Sequence, residues 1–290
     1  MTRIAHLSDL HLLEAEHRQR GAAERFRLSF LSFFRRLDAE ERRARVLRAL
    51  TAYRMSGAAH LVVTGDLTED GTDAQFEALA GLLQESRIDP SEVTLAAGNH
   101  DGYTDPSAFE RALRGPLRVF APTSHPGAIT VLDEVVIVPV STVIKQPISR
   151  SAGAIAHEHL HWVDSLATRM RGHGRALVMA QHHPPFGHTT AAVNWIDGLQ
   201  NHVSATGLLQ RHAELHVLHG HRHRSSDNTL SKDGAPRVFG ATACVDHDAP
   251  LRLYEARDAR LWPAHMPASA ERAQAPAPAL MGAIGRTSAA

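Results

Sequence analysis

Short apolar runs recur along the chain, and most stop at polar, chemically capable residues. RIAHLSD (3–9), LVVTGD (61–66), VTLAAGN (93–99), VVIVPVS (135–141), ALVMAQH (176–182) and LHVLHG (215–220) read as strands buried on both faces. Between them the spacing turns helical. The stretch 39–57 places Val46, Leu47 and Leu50 on one face and closes on Gly57, and 73–86 and 157–170 have the same character. Strands alternating with helices predict an α/β architecture. After His223 the runs RVFGATACV and LRLYEAR, separated by turns, predict antiparallel strands finishing a sheet. No internal repeat is present, and the pattern predicts one domain over 1–264. Residues 265–290, rich in Ala and Pro without apolar period, predict a disordered tail.

Composition narrows the class. At 290 residues the chain can bury a sizeable core. Lys+Arg and Asp+Glu both number 31, which argues against a surface built to hold nucleic acid. The single cysteine, Cys244, excludes an intramolecular disulfide and fits a reducing compartment. The opening MTRIAHLSDLHLL lacks a basic leader with a long apolar core, and no run reaches the ~18–20 apolar residues of a membrane span. We therefore expect a cytoplasmic protein.

The strand ends carry the chemistry. The first run ends in Asp9 and His11, the second in Asp66, the third in Asn99, His100 and Asp101, the fifth in His182 and His183, and the sixth in His219, His221 and His223. Each piece alone has an ordinary explanation: GD opens turns, GNHDG can be an Asx-rich turn, and 21 histidines make chance clusters common. Together, five such groups, each at the carboxyl end of a strand, mark the place where open α/β sheets bind ligands. Carboxylates, an amide oxygen and imidazoles without thiolate suit Mn, Fe, Co or Zn better than Ca.

The order D-x-H, G-D, G-N-H-D, H-x-P, G-H-x-H resembles the calcineurin-like metallophosphoesterases. PISRSAGAIAHEHLHWVDSL and the stretch from HHPPF to VLHGHRHR are similar to bacterial class III cyclic-nucleotide phosphodiesterases and their glycerophosphodiesterase relatives. The likeness covers roughly 1–255, with a poor counterpart for a helical insertion at about 14–45. It implies a four-layer α/β/β/α sandwich and two transition-metal ions. Asp9, His11, Asp66 and His223 resemble the ligands of one ion, and Asp66, Asn99, His182 and His221 those of the other. Asp66 would bridge by giving one oxygen to each. Pro184 fixes the His-x-Pro register on His182, and His219 is left a structural role. The implied reaction is hydrolysis of a phosphodiester by a hydroxide formed between the metals, with His100 beside the leaving oxygen and Asp101 orienting its ring. Cyclic nucleotides or small phosphodiesters are the favoured substrates. The runner-up is a phosphomonoesterase, nucleotidase or pyrophosphate-type hydrolase on the same metals, decided by residues at the mouth such as His188 and Asn194. A scaffold that has lost catalysis is a third reading, and no ligand is missing to favour it.

One segment stands outside this scheme. In ERFRLSFLSFFRRL (24–37), Phe26, Phe30, Phe33, Phe34 and Leu37 fall on one helical arc about 100° wide. The plainer expectation is a buried stripe packed on the domain or on a second subunit, making a homo-oligomer. The sharper one is a lid beside the metals that touches an apolar substrate group or a membrane surface.

Overall fold

A computed structural model describes residues 1–33, 35–230 and 236–276. The chain runs through β1 (Thr2–Leu7), α1 (Ala22–Leu31), α2 (Ala39–Ser56), β2 (His60–Thr64), α3 (Asp73–Glu85), β3 (Val93–Ala96), α4 (Ala108–Arg114), α5 (Ala121–Ser124), β4 (Thr130–Val131) and β5 (Val135–Pro139). It continues through α6 (His157–Met170), β6 (Ala176–Ala180), α7 (Ala191–Asp197), α8 (His202–Arg211), β7 (Leu215–His219), β8 (Ser226–Thr229), β9 (Pro236–Gly240), β10 (Arg252–Arg257), β11 (Arg260–Ala264) and α9 (Ala268–Gln274). The six strands and three helices read from the apolar pattern are all present. The long α2 starts and stops where its sequence says: the Asp38 carboxylate accepts the Glu41 N–H at 3.0 Å, and Gly57 takes a left-handed φ of 72°.

Two sheets stack face to face, one ordered β11-β10-β1-β2-β3 and the other β4-β5-β6-β7-β9-β8. Side-chain alternation along each strand makes four layers. On β2, Leu61 and Val63 pack outward on Val46, Leu50, Phe76 and Leu79 of the helices, whereas Val62 points into the space between the sheets. On β6, Leu177 and Met179 meet Val163 and Leu208, while Val178 joins Ile4, Leu218, Phe239 and Tyr254 in the intersheet core. Central strands buried on both faces explain the uninterrupted apolar runs. β1, β2 and β3 are parallel to one another, as are β5, β6, β7 and β9, so their carboxyl ends deliver their loops to a common rim.

Three expectations need correction. RVFGATACV and LRLYEAR do not finish one sheet together: β9 runs parallel to β7 in the second sheet, and β10 pairs antiparallel with β1 in the first. The tail does not begin at 265. Ala268–Gln274 forms α9, its Ala270 fully buried in the cluster that holds Val46 and Leu50, and Gln274 accepting the Leu251 N–H at 2.8 Å. The rest of the expected tail, 277–290, lies outside the described residues.

The third concerns the insertion. Phe26 and Phe33 are 70% and 74% exposed and Phe30 41%, while Leu28 and Leu31 are buried. Phe34 lies outside the described residues. Ionic demand turns the helix this way. Arg20 and Arg27 reach the fully buried Asp70 at 2.8 and 2.9 Å, and Ser32 and Arg35 reach the fully buried Glu69 at 3.0 and 3.2 Å. Stranding a buried charge costs about 3–5 kcal/mol, against about 1.5–3 kcal/mol gained by burying one phenyl ring. No helix among the described residues is long and apolar enough to cross a membrane.

Candidate metal centre

The residues that end the strands meet in backbone conformations that side chains normally avoid. Among the described residues nine non-glycine positions have positive φ, and five of them are candidate ligands: Asp9 (54°), His11 (48°), Asp66 (48°), His221 (69°) and His223 (52°). Such conformations cost of order 1–3 kcal/mol each and persist where neighbours over-determine them. Here the two loops hold each other, with Asp9 N–H on Gly65 O at 3.0 Å and His11 N–H on Asp66 O at 2.9 Å. Gly98 and Gly220 leave the needed room. A Cβ at Gly98 would collide with Asp66, and one at Gly220 with Ser8 and Asp9.

Asp66 sits at the middle. Its Oδ2 lies 3.1 Å from His182 Nε2 and 3.7 Å from His11 Nε2, and its Oδ1 accepts the His100 N–H at 2.9 Å. A single Asp66 oxygen faces both imidazoles, while the other accepts a backbone N–H. Asp9 Oδ1 lies 3.2 Å from His223 Nε2, and the Asp9 carboxylate also takes the His221 N–H. Among the described residues, donor atoms fall into three overlapping groups, each within 4.8 Å: Asp9, His11 and His223; Asp9, Asp66 and His182; His11, Asp66 and His100. Asn99 presents a buried Oδ1 with no hydrogen-bond partner while its amide N–H donates to the Tyr103 hydroxyl at 3.1 Å. His182 Nε2 and His11 Nε2 are likewise buried without a well-formed hydrogen bond, each facing the Asp66 carboxylate. Three orphaned lone-pair donors around one carboxylate are what a cation site requires and what a packed core avoids. His183 is excluded as a ligand: one nitrogen meets Thr142 Oγ1 at 2.8 Å and the other Ser151 O at 2.7 Å.

Titration follows the same geometry. Burial, then the Arg35 charge, pushes His11 down to about 3, so it stands as a neutral imidazole. Burial also opposes a proton on His182, but the Asp66 and Asp9 charges outweigh it and push the ring up to about 9. His223 rises to about 10 against its own burial, through hydrogen bonds to Asp246 and Asp9. Asp9 and Asp66, despite burial, are held well below the usual carboxylate range by those imidazoles. A cation binding here competes with these protons.

A profile of the calcineurin-like phosphoesterases matches residues 2–225, a span that contains every candidate ligand from Asp9 to His223. The chain belongs to the calcineurin-like phosphoesterase family. It is 28% identical to a probable cyclic nucleotide phosphodiesterase of Moraxella catarrhalis over 56% of this chain and 57% of that protein, so it spans just over half the length of that relative. It is 25% identical to a cAMP/cGMP dual specificity phosphodiesterase of Mycobacterium tuberculosis over 84% of this chain and 68% of that protein. Among solved structures it is similar in fold to a dimetal phosphatase of Danio rerio, with TM-score 0.64 and 15% identity over 89% of this chain and 93% of that one. A purple acid phosphatase of yellow lupin shares the fold at TM-score 0.54, with 10% identity over 89% of this chain and 50% of that one. The family implies a dinuclear centre, and the orphaned donors fit one.

Around this phosphoesterase site stand groups that sequence reasoning missed. Glu69, fully buried, lies 3.3 Å from His11 Nδ1 and is bound by Arg42, Arg35 and Ser32. Asp246 accepts from His223 Nδ1 at 2.5 Å, and Asp197 meets His221 Nε2 at 3.0 Å. No spacing rule pairs these residues, though TGDLTE does contain Glu69. Asp101 is the remaining correction. It does not orient His100, whose Nδ1 instead donates to Glu69 O at 2.6 Å. The buried Asp101 carboxylate accepts the N–H groups of Leu67, Thr68 and Gly98 at 3.1, 2.9 and 2.8 Å, tying the two ligand loops together. Burial and the Asp66 charge push it up to about 6. His219 is buried, donates to Gly220 O at 3.0 Å and joins no donor group. At the mouth, His188 Nε2 lies 3.3 Å from Asp197, and Asn194 Oδ1 accepts the His188 N–H at 3.2 Å.

Proposed function

We propose that the protein hydrolyses phosphodiester bonds, in cyclic nucleotides or other small diesters, at a dinuclear centre of transition-metal ions drawn from Mn, Fe, Zn or Co. Asp9, His11, Asp66 and His223 hold one ion, and Asp66, Asn99, His182 and His221 hold the other. The observation that carries the reading is the set of buried, unpartnered donors on His11, His182 and Asn99 around Asp66. When bound, the ions neutralise the phosphate charge and lower the pKa of water.

The chain's own residues do the rest. Asp66 keeps its position because the His100 N–H holds Oδ1, leaving Oδ2 toward the site. His100 donates Nδ1–H to the Glu69 carbonyl and groups with His11 and Asp66, so its ring would stand beside a bound phosphate. A carbonyl acceptor behind the ring fixes its orientation, from which it can give charge or a proton to the leaving oxygen. The names of the two sequence relatives support the diester class, and the family supports the chemistry.

The test is direct. Purified protein reconstituted with metal should carry two ions per chain and cleave bis(p-nitrophenyl) phosphate faster than p-nitrophenyl phosphate. Asp66→Ala should lose most metal and nearly all hydrolysis. Dominance of the monoester would replace the diester reading with the monoesterase one, and full activity of metal-free protein would end both.

A further inference from the structure

Three candidate histidine ligands are each held by a carboxylate from a distant part of the chain, and one of the three is held differently. Glu69 and Asp246 sit at Nδ1 of His11 and His223, at 3.3 and 2.5 Å. His221 is instead engaged through Nε2, which meets both the Asp197 carboxylate at 3.0 Å and the Asp197 carbonyl at 2.8 Å. The nitrogen left for the site is Nδ1, on a ring whose centre lies 5.2 Å from that of His182.

Asp197 ends α7, a seven-residue helix with no buried residue. Val193, Trp195 and Ile196 are 43%, 56% and 44% exposed, so apolar packing does not fix this helix in place. Polar contacts do. Ser151 Oγ donates to Asp197 Oδ1 at 2.5 Å, Ser151 N–H to Ile196 O at 2.9 Å, and the Arg150 guanidinium to Trp195 O at 2.8 and 3.0 Å. The other Asp197 oxygen gathers His188 Nε2 at 3.3 Å and Arg222 at 4.0 Å. One carboxylate thus joins the exposed helix, two basic groups of the mouth and a candidate ligand.

We infer that Asp197 is a positioning residue for the second metal position, fixing His221 as an Nδ1 ligand and strengthening it as a donor. The inference rests on the dinuclear reading above. A carboxylate that accepts the second N–H of a ligating imidazole sets its tautomer and orientation, and its loss lowers metal affinity about 10–100-fold. The backbone carbonyl of residue 197 survives substitution, so the ring keeps one acceptor. The loss is accordingly graded rather than total.

The experiment titrates chelator-stripped protein with Mn²⁺, counting free ion by its electron paramagnetic resonance signal. Wild type should bind two ions. Asp197→Ala should weaken one of them about 10–100-fold, and Asp197→Asn, which retains a neutral acceptor, should fall between. Arg150→Ala loosens α7 at the Trp195 carbonyl without touching Asp197 or His221 and should bind both ions as wild type does. In the metal-free protein, nitrogen-15 NMR should show His221 protonated on Nε2. Wild-type affinity in Asp197→Ala, an equal loss in Arg150→Ala, or a proton on Nδ1 would each overturn the positioning role while leaving the dinuclear reading intact. A wild type that binds fewer than two ions overturns both.

Discussion

Glu69 is the residue whose removal tests the architecture of the site most sharply. It is fully buried and serves four groups at once: the guanidinium of Arg42, itself 2% exposed, the guanidinium of Arg35, the Ser32 hydroxyl and Nδ1 of His11. Glu69→Ala would leave the buried Arg42 charge with only the His11 and Arg36 carbonyls of its present hydrogen-bond acceptors, to which it donates at 2.7 and 3.1 Å. Breaking a buried pair in this way costs about 3–5 kcal/mol. At about 2–4 °C per kcal/mol for a chain of this order of size, the melting temperature should fall by roughly 6–20 °C. The same change frees the His11 ring, which should weaken metal binding about 10–100-fold. Glu69→Gln keeps the shape and one acceptor but not the charge, and should lie between. Differential scanning calorimetry of metal-free protein reads the first effect, and elemental analysis after dialysis the second. A Glu69→Ala protein that melts within 2 °C of wild type (a shift of about 1 kcal/mol or less) and retains two ions would refute the view that this carboxylate holds the insertion and His11 together.

The metal-free protein should be most stable near neutrality, with the steeper loss on the acid side. Burial first of all pushes His11 to about 3, His60, His216 and His219 to about 4, and His6 and His183 well below 6.5, so the unfolded chain gains protons the folded one refuses as pH falls from about 6.5 toward 4. Asp101, raised to about 6, offsets part of this, while His182 and His223, raised to about 9 and 10, contribute fully below 6.5 and lose that contribution as pH climbs through those values. Urea titrations from pH 4.5 to 9 after chelation check this, and stability rising steadily to pH 9 would contradict it. His100→Ala should keep both metals and lower kcat most for esters with poor leaving groups; equal losses for good and poor leaving groups would remove it as the group acting on the leaving oxygen. Phe30→Asp and Phe33→Asp, at exposed positions, should shift stability by no more than about 0.5 kcal/mol. A raised KM for diesters with apolar groups would then make α1 a lid, whereas unfolding would show that the rings pack on something in solution.

Much of this site is written locally. Which atoms can hold a cation is a property of side-chain chemistry, and a strand buried on both faces leaves an apolar run whose end is easy to read. Asp9, His11, Asp66, Asn99, His182, His221 and His223 were therefore legible as polar residues at or just past run ends, but their selection as ligands, like the four layers, came from the family resemblance; the alternation of strands and helices predicted only an α/β architecture. Orientation is not local. The carboxylates that aim the imidazoles lie 58 residues from His11, 24 from His221 and 23 from His223, counted from Glu69, Asp197 and Asp246, and no period in the sequence connects such partners. Asp101 shows the same limit: its neighbour His100 suggested a ring to orient, but burial between two loops gave it three backbone N–H groups instead. The expectation that the Phe-rich stripe packs on its own domain failed for a related reason. Periodicity reports which residues share a face, and only the tertiary structure reveals that the opposite face must meet Asp70 and Glu69, two buried charges whose pairing outweighs the burial of phenyl rings.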